Sequence, residues 1–129
     1  LMSSVDIPVT LLNLLKIRER HHPPQMQGFD MTSVLKDPND EVRDSCLIEH
    51  DEDIRSVSVR LRHLITKDHK ITLYQSLEDF GDIFDRKNDP HELNNLWDKD
   101  QALKNELIHK ICIENMKAQS HLPQRISPT

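Results

Sequence analysis

The stretch from Lys70 to Trp97 constrains the fold of this chain more than any other. Lys70-Ile71-Thr72-Leu73-Tyr74 is a short apolar strand that leads through an acidic turn to Phe80-Gly81-Asp82-Ile83-Phe84-Asp85. Asn88-Asp89-Pro90-His91-Glu92-Leu93-Asn94-Asn95-Leu96-Trp97 follows, a polar turn opening into a helix, in which Asp89-Pro90 sets the turn and Leu93, Leu96 and Trp97 are expected to pin it to the sheet. Two short strands with one apolar face each must pair with neighbours and be covered on that face. The sequence upstream supplies the neighbours. Val57-Ser58-Val59-Arg60-Leu61-Arg62-His63-Leu64-Ile65 alternates apolar with polar residues, the pattern of a half-buried strand, and Lys67-Asp68-His69 turns it into Lys70–Tyr74 as a hairpin. Val42–His50 reads as a further strand and Ile83-Phe84-Asp85 as the last, giving an antiparallel sheet of about four strands.

The cover comes from the C-terminal third. Leu103, Leu107, Ile108, Ile111 and Cys112 recur at helical spacing, predicting a helix from Asp98 or Asp100 to Ala118. The negative charges of Asp98 and Asp100 suit its N-terminus. At the other end of the chain, Asp6 is placed to cap a helix holding Pro8 in its first turn. Val5, Val9, Leu11, Leu12, Leu14, Leu15 and Ile17 are too many apolar residues for one narrow stripe, so this helix is expected to be buried on several sides. Pro23, Pro24 and Gly28 make the next segment a loop, Thr32–Leu35 a short helical turn, and Lys36–Asp40 a turn. The fold expected is therefore α+β: an N-terminal buried helix, a small antiparallel sheet and a C-terminal helix packed across it. Residues 1–40 form the first part, 41–120 the second, and 121–129, with two prolines, a flexible tail.

Composition narrows the function. Of 129 residues 36% are apolar and 4% aromatic, below the roughly 45–50% apolar of ordinary domains, which fits a surface-rich piece with contacts elsewhere or a small polar domain. The net charge of −5, with Lys and Arg scattered, makes nucleic acid and anionic membranes poor partners. No apolar run is long enough for a transmembrane helix, and the start lacks the basic-then-apolar pattern of a signal peptide, leaving the compartment open. Cys46 and Cys112 are expected as two buried thiols, with a disulfide between them left open by a single pair.

The order of these motifs resembles the C-terminal subdomain of the sulfatase family, within the alkaline phosphatase superfamily. There a "K-hydrophobic-Y" strand precedes a "G-E-L-[YF]-D-L-x-x-D-P-x-E-x-x-N-L" run. The counterparts are Gly81-Asp82-Ile83-Phe84-Asp85-Arg86 and Asn88 to Leu96, departing by Asp82 for Glu and Arg86 for Leu. Ser3 to Leu14 is similar to that family's "S-x-x-D-[IL]-x-P-T-[LI]-L-x-L" helix, with Val9 between Pro8 and Thr10. Pro24 to Met31 matches "P-x-x-[ML]-x-G-x-[SD]-[LM]", and Val59-Arg60 to Lys70 its hairpin. The resemblance runs from Ser3 to about Met116. It implies an alkaline phosphatase-like fold, with 1–40 a helix and loop at the edge of the catalytic α/β domain and 41–120 the C-terminal subdomain. It also implies a parent that hydrolyses sulfate esters, and an upstream catalytic domain as partner that holds calcium and the formylglycine nucleophile.

The residues of that chemistry are missing here. Formylglycine arises in "C-x-P-x-R", whereas Cys46 is followed by Leu47-Ile48-Glu49 and Cys112 by Ile113-Glu114-Asn115. Adjacent Asp-Asp or Asp-Asn calcium ligands do not occur, and Asn39-Asp40 and Asn88-Asp89 are better explained as turns. No catalytic or metal-ligating residue is therefore assigned. Glu49-His50-Asp51-Glu52-Asp53 lacks the spacing of a calcium loop and reads as a solvated loop. By the resemblance, Glu49 and His50, at a strand end, are candidates to border the substrate cleft of the parent. Arg60 and Arg62 read as paired surface arginines on one strand face. The function expected is a non-catalytic C-terminal part that completes the fold or walls the cleft. The alternatives are a stand-alone interaction module using the first helix, a part of a phosphonate or phosphate-ester hydrolase, and an acidic-loop cation binder. An open apolar helix would also favour a homo-oligomer.

Overall fold

The computed structural model describes residues 1–23, 26–54 and 57–120. The tail expected over 121–129, and part of the Pro24–Met31 motif, lie outside the described residues. The chain divides into two compact units, the first containing Leu1–Asp44 and the second Ser45–Met116.

In the first unit, α1 (Asp6–Leu14) is followed by a single 3₁₀ turn at Glu19–His21 and by α2 (Thr32–Lys36). Asp6 is not the N-cap: Val5 holds that position, without a side-chain cap. Asp6 is the first helical residue and is wholly buried, because its carboxylate gathers one near partner and two distant in sequence. It accepts from the backbone N–H of Ser3 (2.7 Å) and of Phe29 (2.9 Å), and from Arg43 Nη2 (2.5 Å). The Arg43 guanidinium lies 4.7 Å from the Phe29 ring centroid, close enough for a cation–π contact. One turn along α1, the Thr10 hydroxyl donates to the Asp6 carbonyl (2.7 Å) and accepts from Met31 N–H (3.0 Å). Gly28, at φ +113°, is required where the chain crosses this helix start: a Cβ there would stand 2.1 Å from the Val5 carbonyl oxygen.

The covered side of α1 is thus polar, and its apolar side is open. Leu11, Leu14 and Leu15 keep 52%, 49% and 69% of their surface exposed, and Val5 and Ile7 are exposed as well. Burial of this helix on its apolar sides, expected from its composition, is not supplied by the described residues.

The second unit is a four-stranded antiparallel sheet in sequence order: β1 (Ser45–Ile54), β2 (Val57–Thr66), β3 (His69–Tyr74) and β4 (Gly81–Asp85), followed by α3 (Gln101–Ser120). Lys67-Asp68 forms the two-residue turn between β2 and β3. The register sets Leu47, Leu64, Ile71 and Ile83 in one row across the four strands. Leu64, Ile71 and Ile83 form the core with Trp97 and with Leu107 and Ile111 of α3, while Leu103 and Ile108 pack at its margin. Asp100 Oδ1 accepts from Leu103 N–H (2.9 Å), the bond of an N-cap to the third helical residue. Two expectations fail here. Leu93 does not pin the turn to the sheet, being 85% exposed; the Asp89 carboxylate holds that turn by accepting from Leu93 and Asn94 N–H. Cys112 is exposed, rotated off the helix stripe that carries Leu107 and Ile111, so only Cys46 is a buried thiol, and both are free.

Asn95 fastens the turn after β4 to that strand's outer edge. Its Oδ1 accepts from Ile83 N–H (2.9 Å) and Trp97 N–H (3.0 Å), and its Nδ2 donates to the Gly81 carbonyl (3.0 Å) and Asp82 Oδ1 (2.8 Å). Leu96 N–H donates to the Ile83 carbonyl (2.8 Å). The Trp97 ring then lies against Gly81, where an added Cβ would come 2.3 Å from a ring carbon, and its Nε1–H reaches the Asp79 carbonyl (3.0 Å). Asn95→Ala strands the Ile83 N–H at the strand edge and is expected to cost about 1–3 kcal/mol. Gly81→Ala overpacks the same place at a cost of about 1–3 kcal/mol. Urea unfolding of each variant, read as a lowered midpoint, checks both.

Candidate functional site

The polar groups of the second unit that can meet a ligand lie on the sheet, and the two-residue strand period sorts them onto its two faces. Beyond Leu61, which pairs with Tyr74, β2 has no β3 residue opposite it, so Asp51–Ile54 and Val57–Arg60 continue as a two-stranded ribbon. Glu49, Asp51 and Asp53 stand on the same face as Leu47 and Leu64, and so do Arg60 and Arg62. Along one strand face, the core gives way to a ladder of charges.

The ladder combines a directly opposite pair with diagonal ones, as cross-strand neighbours on a twisted ribbon can. Arg62 reaches Glu49 (Nε, 3.1 Å) and Asp51 (Nη1, 2.7 Å), and Arg60 clasps both oxygens of Asp53 (2.9 and 3.0 Å). Ser58 Oγ adds a bond to Asp53 (2.6 Å). The Arg62 guanidinium holds the Asp51 carboxyl below its ordinary range, and Ser58 and then Arg60 do the same for Asp53. These groups are open to solvent, where ion pairs contribute little, so the ladder sets strand register more than stability. Beside it lies a shallow depression of about 440 Å³, lined by Asp51, Arg60, Arg62, Leu73, Tyr74 and Gln75.

Residues 49–53 are therefore not a loop, and Glu49 and His50 do not end a strand: β1 runs on to Ile54 because Arg60 and Arg62 stand opposite its acids. Nor does the structure bring Glu49 and His50 together. As strand neighbours they face opposite ways, Glu49 to Arg62 and His50 Nε2 to Glu52 Oε2 (3.3 Å). The expected pairing of Arg60 and Arg62 on one face does occur.

The opposite face holds a polar cluster that the sequence did not single out. His63, Thr72 and Asp82 form one row across β2, β3 and β4. His63 Nδ1 lies 2.9 Å from Thr72 Oγ1, and Tyr74 O–H donates to Asp82 Oδ2 at 2.5 Å, with Asn95 on the other Asp82 oxygen. Burial lowers the His63 pKa, with the charges of Lys70 and His50 adding to it, so this imidazole is neutral at pH 7. The bond to Asp82 pushes Tyr74 up to about 12, aided by burial. These two hydrogen bonds link β2 to β3 and β3 to β4 on this face. The signal available in the sequence was the alternation of β2 and β3, which puts His63 and Thr72 on the non-core face.

Lys70 forms an ion pair with Glu92, whose backbone sits at φ 55° in the turn. Among the described residues, no group of three His, Cys, Asp or Glu side chains is arranged to hold a metal ion. Of the two thiols, Cys46 lies on β1 and Cys112 on α3. No described helix is long and apolar enough to cross a membrane.

Comparison with known proteins gives these features a context. Residues 1–120 match the family model described as N-sulphoglucosamine sulphohydrolase, C-terminal. No curated protein sequence matches the chain. Among solved structures, the putative sulfatase yidJ from Bacteroides fragilis superposes with a TM-score of 0.74 at 20% identity, over 92% of this chain and 26% of its own. A putative sulfatase from Bacteroides thetaiotaomicron VPI-5482 gives a TM-score of 0.67 at 19% identity, over 90% and 24%. A third, solved in complex with its substrate D-glucosamine-2-N,6-O-disulfate, gives 0.65 at 21% identity, over 90% and 23%. The chain thus spans about a quarter of the length of each.

Tyr74 is the only tyrosine, so absorbance titration reports it alone. Its midpoint is expected near 12, falling toward the ordinary value of 10 in Asp82→Asn. Because the folded pKa is the higher one, this bond's contribution to stability is complete below pH 10 and is lost between 10 and about 12. Unfolding midpoints measured across that window check the sign.

Proposed function

This chain belongs to the N-sulphoglucosamine sulphohydrolase C-terminal family, and on that premise we propose that it is the non-catalytic C-terminal subdomain of a sulfate-ester hydrolase, completing that enzyme's fold. The observation that carries the reading is α1, which covers Asp6 and Thr10 within this chain while leaving Leu11, Leu14 and Leu15 open. Fully burying a leucine is worth about 1.5–3 kcal/mol, so a row of three is a surface built to be covered. The proposed cover is the catalytic domain of the same protein. Calcium and formylglycine would be held there, outside this chain, and no step of the reaction is assigned to the residues described above. Glu49 and His50 would meet a sulfated substrate singly, since they stand on opposite faces of β1.

Two experiments follow. A fluorogenic aryl sulfate offered to the purified chain, with and without calcium, is expected to show no turnover above a denatured control. Turnover that persists through repurification would contradict the reading. Alone, the chain is expected to self-associate and to bind a hydrophobic dye. Leu11→Lys with Leu14→Lys should lower the dye signal several-fold while moving stability by no more than about 0.5 kcal/mol per site, as exposed positions do. Sedimentation and dye titration of both forms check this; a monomeric wild type without dye signal would mean that the chain closes its own core.

A further inference from the structure

We draw no further inference here: the strongest candidate, the depression between the β1–β2 ribbon and the end of β3, presents arginines already engaged by Glu49, Asp51 and Asp53, and nothing in the structure shows what covers it.

Discussion

The second unit depends on how the open edge of β4 is closed. A last strand presents backbone donors and acceptors that water or another chain would otherwise take. Here the Asn95 side chain stands in for a strand, meeting Ile83 N–H and the Gly81 carbonyl, and Leu96 N–H meets the Ile83 carbonyl. That stitch fixes where Trp97 enters. The indole needs the space that Gly81 leaves and, once there, closes the core over Ile83. Three residues later Asp100 caps α3, whose Leu107 and Ile111 finish the same core. The run from Gly81 to Trp97 is thus a structural device: a sequence signature can mark a fold without marking a reaction centre.

The polar groups of the sheet follow the same logic. Arg60 and Arg62 are committed to carboxylates, Tyr74 to Asp82 and Lys70 to Glu92. Groups engaged in this way order strands and turns.

Much of this was legible in the sequence, and the misses share a cause. The alternation in Val57–Ile65 and the Lys67-Asp68 turn located β2 and β3, and the four-residue recurrence of Leu103, Leu107 and Ile111 located α3. These signals are local. The extent of β1 was not, because Glu49–Asp53 are poor strand formers on their own and are held extended by Arg60 and Arg62 of the next strand. Asp6 looked like a cap because capping is local, whereas its carboxylate reaches Phe29 and Arg43 as well as nearby Ser3. Leu93 looked like an anchor from its neighbours, yet Asp89 does that work through backbone bonds. Composition showed α1 to be apolar; which side this chain would cover depended on the same distant contacts. For the candidate site, the residue types were legible but their division between two sheet faces needed the register.

The central claim is that the open side of α1 is covered by the rest of a larger enzyme. Hydroxyl-radical footprinting of Leu11, Leu14 and Leu15, read by mass spectrometry, tests it most directly when this chain alone is compared with the longest natural polypeptide that contains it. The account predicts strong labelling in a dilute sample of the chain alone and protection in the longer polypeptide. Equal labelling in the two would contradict it and favour a stand-alone module that offers α1 to another partner.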